Sequence, residues 1–381
     1  MKGKIIFGVI VILVVLIIII GAYFGSSTAL FSISSKNNKE VKIGALLPLS
    51  GAGAWIGEAQ KEGIILAEEE INSKNSESAV KLDIIFEDSA SNAQQGVSGF
   101  TKLTSVDDVQ AVFSSLSSVS NAILPIAMQT NTPILLQAVS LPNITQRSLL
   151  AFRFFVDSDA ESKKAAKFML NQGIKRVAIL YLNDEFGVGA KDSFEKSFEI
   201  GGKVIFEDAY LGTDSDFRTK IAQINELKPD AIFVIGYTSV VPKIVVQLKE
   251  NDSKAKIFLN MAMAAPPFLK AAGNAIEGAY FINNYFDVNS TDAKIQLFVK
   301  NYRIRFNKDP NFFSAFAYDA TNALEGAIKK NGSTKEQILT GLENIKIIDG
   351  VMGSTKVLPN HGAEYPLRIM QMQNWVLVSV E

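Results

Sequence analysis

Two serine-bearing segments hold the groups best suited to grip a small anion. The run SSLSSVS at 114–120 follows an apolar stretch and precedes a helical pattern, and AVSLP at 138–142 repeats the arrangement one strand later. A serine at a helix start is first of all a cap, because its hydroxyl accepts from the free amides of the first turn. The same geometry makes an anion site. Unpaired N–H groups and the positive helix end point at whatever sits there, and Ser117 and Ser140 add hydroxyl donors. Pro142 suits a first helical position. Open α/β sheets hold ligands at the carboxyl ends of their strands, so two such ends side by side suit a carboxylate.

Other candidates are weaker. GAGAWIG at 51–57 lies between a strand pattern and a helix pattern. Its spacing is G-x-G-x-x-x-G, not G-x-G-x-x-G, and no Lys-Ser/Thr pair follows, so neither a dinucleotide fingerprint nor a phosphate loop is present. It reads as a Gly-rich turn that lets a ligand approach backbone, with Trp55 at its mouth. The alternative for Trp55 is a partly buried packing residue. There is no cysteine and His361 is the single histidine. Disulfides, thiolate metal sites and cysteine nucleophiles are excluded, and little is left for a Ser–His–Asp triad or a metal cluster. Asp184, Glu185, Asp214 and Asp216 read as loop carboxylates that cap helices or face solvent. Trp375 reads as core. No catalytic residue, metal or cofactor is expected. With 38 basic and 39 acidic residues the formal charge is −1, which leaves no cationic surplus for a phosphate backbone, so no nucleic-acid partner is expected.

The elements that must position these groups alternate. Short apolar strands are expected at 41–47, 81–87, 110–114 and 133–137, separated by amphipathic helices at 54–72, 92–105 and 120–130. Residues 152–156 are extended. The rhythm restarts with strands at 176–181, 203–208, 231–236 and 256–260 and helices at 159–172, 187–199, 216–227 and 239–250. Helices at 292–307, 314–330 and 334–342 follow, and 367–381 reads as a β-hairpin. Strands alternating with helices imply parallel sheets built from right-handed βαβ units. Two series in 381 residues imply an α/β protein of two Rossmann-like lobes.

The N-terminus is read separately. Lys2 and Lys4 precede an uncharged apolar run from 5 to 24. Twenty residues at a rise of about 1.5 Å span the ~30 Å hydrocarbon core. The run is long for a secretory signal and its exit lacks a good small-x-small site. Residues 1–24 therefore read as one N-terminal transmembrane helix that anchors the chain, with a cleaved signal as the alternative. Residues 25–40 read as a flexible stalk. Either way the rest of the chain is expected outside the cell membrane.

From residue 41 onward the chain resembles the leucine/isoleucine/valine-type substrate-binding proteins of ABC transporters, which have the type I periplasmic binding protein fold. The likeness rests on KIGALLPLSGAGAWIGEAQKEGIILAEEEIN at 42–72, Glu87 and Asp88 at a strand end, DEFGVG at 184–189, and Thr213, Asp216 and Phe217 ahead of KPD at 228–230. Ser314, Tyr318, Asp319 and Ala320 complete it. The resemblance implies three hinge crossings, near 152–157, 280–286 and 348–354. It places residues 41–153 plus 284–348 in lobe 1 and 157–281 plus 354–381 in lobe 2. It implies a binding protein, not an enzyme, which captures an amino acid or related small carboxylate or amide between the lobes and delivers it to an ABC transporter permease. A surface sensor or adhesion protein reusing the fold is the alternative.

Family pockets hold the ligand carboxylate at positions matching Ser117, Ala138 and Ser140. An aromatic matches Phe186 and a closing tyrosine matches Tyr237. Trp55, Phe186 and Met261 are expected to select the apolar part of the ligand. The family's acidic partner for the ligand ammonium falls on Ala262. A buried ammonium without a counter-charge is costly, so amides, small organic acids and aromatic acids compete with amino acids as ligands.

Overall fold

The computed structural model describes residues 40–74, 80–284 and 286–381. The apolar run at 1–24 and the stalk up to residue 39 lie outside them. Among the described residues no helix is long and apolar enough to cross a membrane. The first series comprises β1 (Glu40–Leu47), α1 (Ala54–Ser73), β2 (Lys81–Asp88), α2 (Ala93–Ser105), β3 (Val112–Ser115), α3 (Ser117–Thr130), β4 (Ile134–Gln137) and β5 (Ala151–Arg153). These strands form one parallel sheet in the order β2-β1-β3-β4-β5. β3 and β4 are buried at every position, because helices cover both faces, and so their sequences read as apolar runs without alternation. The helix starts follow local chemistry. The Asn92 side chain accepts from the Gln94 and Gln95 amides at 2.9 and 3.1 Å and so begins α2.

The second series comprises α4 (Ser158–Asn171), β6 (Arg176–Leu182), α5 (Glu185–Phe198), β7 (Lys203–Tyr210), α6 (Arg218–Leu227), β8 (Ala231–Ile235), α7 (Val241–Glu250), β9 (Lys256–Leu259), α8 (Pro266–Ala272) and β10 (Tyr280–Asn284). Next come α9 (Ala293–Phe306), α10 (Phe312–Asn331), α11 (Lys335–Glu343), β11 (Ile347–Gly350), β12 (Gly353–Val357), β13 (Ala363–Glu364), β14 (Leu367–Gln373) and β15 (Val376–Ser379). The second sheet runs β15-β14-β10-β9-β8-β6-β7. It is parallel except for β14, which is antiparallel to both neighbours. The sequence pattern does not reveal α8, β10 or β11 to β13. They are short, and α8 opens on two prolines. Trp375, expected in the core, is 58% exposed. It takes a left-handed φ of 66° in the turn between β14 and β15, and a turn tip has nothing to pack against.

α10 returns to the first sheet and lies against α1 at backbone distance. A Cβ on Gly63 would stand 2.1 Å from the Ser314 carbonyl oxygen. α10 also holds the turn between β11 and β12. The Asp319 carboxylate accepts from the Val351 and Met352 amides at 2.8 and 2.9 Å. Burial pushes its pKa up to about 7 despite those bonds. β11, β12 and β13 form a small antiparallel sheet beside β5. There the Arg153 amide donates to the His361 carbonyl at 2.8 Å, and the His361 ring stacks on Phe152 at 4.2 Å.

Candidate functional site

The carboxyl ends of the two sheets face a shared cavity. From the first-sheet half it is lined by Ile56, Leu116, Ala138, Ser140, Phe155 and Phe313. From the second it is lined by Glu161, Phe186, Tyr237, Asn260, Met261 and Ala262. Its free volume is about 30 Å³, room for one or two water molecules. An organic solute needs the walls to part. A roomier groove of about 320 Å³ is lined by α10 and residues 341–350. It touches neither central sheet and is lined from one half alone, so the cleft, which gathers strand ends of both sheets, is the better candidate despite its size.

β3 and β4 both end on a non-glycine residue in the left-handed region, Leu116 at φ 67° and Ala138 at φ 48°. Such conformations carry strain of about 1–2 kcal/mol and mark places where the surroundings hold the backbone to a purpose. Both residues line the cavity. Ser140 does too, and its carbonyl accepts from the Ser158 amide and hydroxyl, each at 2.8 Å, tying this strand end to the start of α4. Ser117 does not line the cavity. α3 begins at Ser117 and not at 120, with Leu116 as a cap that offers no side-chain acceptor. The Ser117 hydroxyl accepts from the Leu141 amide at 3.2 Å and so braces the loop that carries Ser140.

Trp55 stands one layer back. Its ring meets Phe313 edge-on at 5.1 Å, and Phe313 stacks on Phe155 at 5.8 Å. The glycines of the 51–57 turn serve internal packing. Gly51 has φ 78°, and a Cβ there would lie 2.5 Å from the Ala90 carbonyl oxygen; one on Gly57 would lie 2.2 Å from that of Pro48. None of them reaches the cavity. The neighbouring Asp88 holds the turn through its bonds to the Ser50 hydroxyl and the Leu49, Ser50 and Ala90 amides. Burial pushes its pKa up, but these bonds win and hold it below the usual carboxylate range.

On the second wall Phe186 and Tyr237 stack at 5.3 Å with planes 19° apart. Asp184 begins α5 by accepting from the Gly187 amide at 2.8 Å. Burial raises it to about 6, against the lowering effect of that bond and of the Tyr237 hydroxyl. The Asn260 side chain accepts from the Gly236 amide at 3.0 Å, joining the ends of β8 and β9. The next amide, on Met261, donates to the Glu161 carboxylate at 2.6 Å. Burial pushes Glu161 up to about 7, and this bond pulls it down. Ala262 lines the cavity and brings no charge.

Six of the eight residues picked from the sequence thus meet at the cavity: Ala138, Ser140, Phe186, Tyr237, Met261 and Ala262. Ser117 and Trp55 support it from behind. Glu161, Asn260, Ile56, Leu116, Phe155 and Phe313 were not anticipated. For Glu161 a signal existed. It falls on the helical stripe Ser158, Glu161, Ser162, Ala165, Ala166 and Met169, which is buried throughout. An acid on an otherwise small or apolar stripe is unusual, but an acid in a first helical turn is ordinary, and the second fact masks the first.

Residues 40–374 match the family model described as periplasmic binding protein. The Leu/Ile/Val-binding protein BraC3 of Rhizobium johnstonii is 27% identical over 320 residues, covering 82% of this chain and 86% of that one. The Leu/Ile/Val-binding protein homolog 2 of Brucella abortus is 24% identical over 310 residues, 80% of this chain and 82% of that one. Among solved structures, a leucine binding protein LivK from Thermotoga maritima superposes with a TM-score of 0.83 at 24% identity, covering 90% of this chain and 98% of that chain. An R. palustris solute binding protein in complex with benzoate superposes with a TM-score of 0.81 at 20% identity, covering 90% and 95%. At these identities the structural likeness carries the fold, and the bound molecules belong to those proteins.

Proposed function

The chain belongs to the periplasmic binding protein family, and we propose that it captures an amino acid or a related small carboxylate or amide and delivers it to an ABC importer. The observation that carries this reading is a buried cavity lined from both halves at the carboxyl ends of two parallel sheets. That is where open α/β folds take ligands. The family is one of binding proteins, not enzymes. The name of BraC3, a Leu/Ile/Val-binding protein, and the benzoate complex bracket the ligand between a branched amino acid and an aromatic acid.

In this reading residues 41–153 with 284–348 move as one lobe and 157–281 with 354–381 as the other. Ligand touching both walls stabilises the closed state by its differential affinity. Ala138 and Ser140 receive the carboxylate. Ser117 holds their loop in place, Tyr237 closes over the ligand from the other lobe, and Trp55, Phe186 and Met261 shape the apolar end. The N-terminal run tethers the protein to the outer face of the cell membrane.

Native mass spectrometry of the chain, purified without refolding, tests the reading. A retained small molecule is expected. After its removal, thermal unfolding should shift upward on adding L-isoleucine or benzoate, by mass action. No retained solute, together with no shift from any amino acid or small carboxylate, would refute solute binding.

A further inference from the structure

Glu161 is buried, lines the cavity and sits in the first turn of α4. The Met261 amide is the one hydrogen-bond donor to it among the described residues. That bond occupies one of roughly four acceptor positions on a carboxylate. Among the described residues no lysine, arginine or histidine lies within ion-pair distance of it, and the charge that acts on it, Asp157, has the same sign. Arg153, the buried arginine at the end of β5, pairs with Asp157 at 3.5 Å.

A buried carboxylate without a cation is costly, and it persists where something pairs with it or where it stays protonated. Bracing the Met261 amide does not require a charge. An amide oxygen accepts the same bond at lower desolvation cost, as Asn260 does for Gly236 at 3.0 Å. The charged choice at Glu161 therefore points to a cation that arrives from outside.

The family resemblance sets the acid at Ala262, on the loop after β9. Ala262 follows the residue whose amide Glu161 accepts, and both line the same cavity. Glu161 thus sets a carboxylate beside the position where the resemblance expects one. Facing it are the apolar groups Ile56, Leu116, Phe155 and Phe313 and the strand ends at Ala138 and Ser140.

We propose that Glu161 is the counter-charge for a ligand ammonium, so that the solute is an amino acid with an apolar side chain and not a simple aromatic acid. The proposal rests on the solute-binding reading and narrows it. It also makes Glu161, with no acid at 262, the residue that sets amine specificity here.

The test uses the full-length chain in detergent, stripped of retained solute, and titrates it with the standard L-amino acids. Isocaproate and hydrocinnamate, which lack only the amine of leucine and phenylalanine, and benzoate serve as amine-free controls. Wild type should bind an apolar amino acid at least about tenfold tighter than its deaminated counterpart. Glu161→Gln should weaken the amino acid by about ten- to a hundredfold, the scale of a bond to a charged group, while leaving the deaminated acid unchanged or tighter. Adding Ala262→Glu to Glu161→Gln should restore part of the amino-acid affinity, which a merely structural role for Glu161 does not produce. Should Glu161→Gln fail to fold, the wild-type preference between each amino acid and its deaminated partner decides alone. Tight binding of benzoate or a deaminated acid with no amino-acid binding overturns the proposal and leaves the solute-binding reading intact. Unchanged amino-acid affinity in Glu161→Gln also overturns it. Absence of binding by every probe overturns both.

Discussion

The two walls of the cavity face each other but are made of different chemistry. The first-sheet wall presents apolar side chains, Ile56, Leu116, Phe155 and Phe313, with Ala138 and Ser140 at the strand ends, and no ionisable group among its lining residues. The second-sheet wall presents Glu161, Asn260 and the Tyr237 ring beside Asp184. Carboxylates titrate, and burial has already moved two of them towards neutrality. One wall is therefore fixed in charge and sets shape, while the other answers to pH and to the charge of whatever enters.

The largest expected effect falls on the shape-setting wall. Phe313 is buried and joins Trp55 to Phe155 through ring contacts. Phe313→Ala should cost about 3–5 kcal/mol of stability in urea unfolding, the scale of a lost core aromatic. Tyr237→Phe on the opposite wall, which keeps the ring and removes only a hydroxyl, should cost about 1 kcal/mol. Equal losses would erase the distinction drawn between the walls.

The titrating wall should show itself next. Glu161 is raised from 4.5 to about 7 and Asp184 from 3.8 to about 6, in both cases chiefly by burial. The folded state therefore holds protons that the unfolded state releases. Its extra stability is fully present below about pH 4 and is lost as pH rises to about 7. A tenfold difference in proton affinity between the two states corresponds to about 1.4 kcal/mol, so the loss is of order 3 kcal/mol per group. Asp319, also raised to about 7, adds the same sense of change from outside the cavity. Urea unfolding of the ligand-free protein at pH 5 and pH 8 should show the decline, and Glu161→Gln should flatten part of it. A stability that rises over this interval would contradict the assignment.

Smaller effects separate lining residues from supporting ones. Ser140→Ala should weaken ligand binding by about three- to tenfold. Ser117→Ala should act through the Leu141 amide, lowering stability by about 1 kcal/mol with a smaller change in affinity. The reverse order, measured by calorimetry and unfolding on the same proteins, would return Ser117 to the ligand. Least of all, Trp55→Phe should alter affinity by no more than about threefold, because Trp55 packs on the lining residue Phe313 and does not itself line the cavity.

Much of this is legible in the residues. Apolar runs such as IFVI within β8 announce buried parallel strands because helices cover both faces, and capping residues such as Asn92 and Asp184 mark helix starts because free amides demand acceptors. The short strands β10 to β13 are not legible, since YFINN, IIDG, GSTKV and AE are neither unbroken apolar runs nor long enough to show alternation. Trp375 misleads because hydrophobicity alone does not tell a hairpin tip from a core. The sequence pattern starts α3 three residues late. A serine-rich stretch resembles a loop, and the left-handed turn at Leu116 that starts the helix is not a residue type.

Composition and local order by themselves determined that this chain folds as alternating strands and helices in two series, carries no cysteine chemistry and offers two serine-bearing strand ends. These follow from short-range rules of period, capping and residue inventory. Tertiary structure alone decided which side chains share the cavity. Glu161 and Met261 are a hundred residues apart in the chain and 2.6 Å apart in space, and Phe313 returns to Trp55 from a helix on the far side of the second series. No local rule encodes such meetings, because they depend on where the chain crosses between sheets and on which helix face each crossing turns inward.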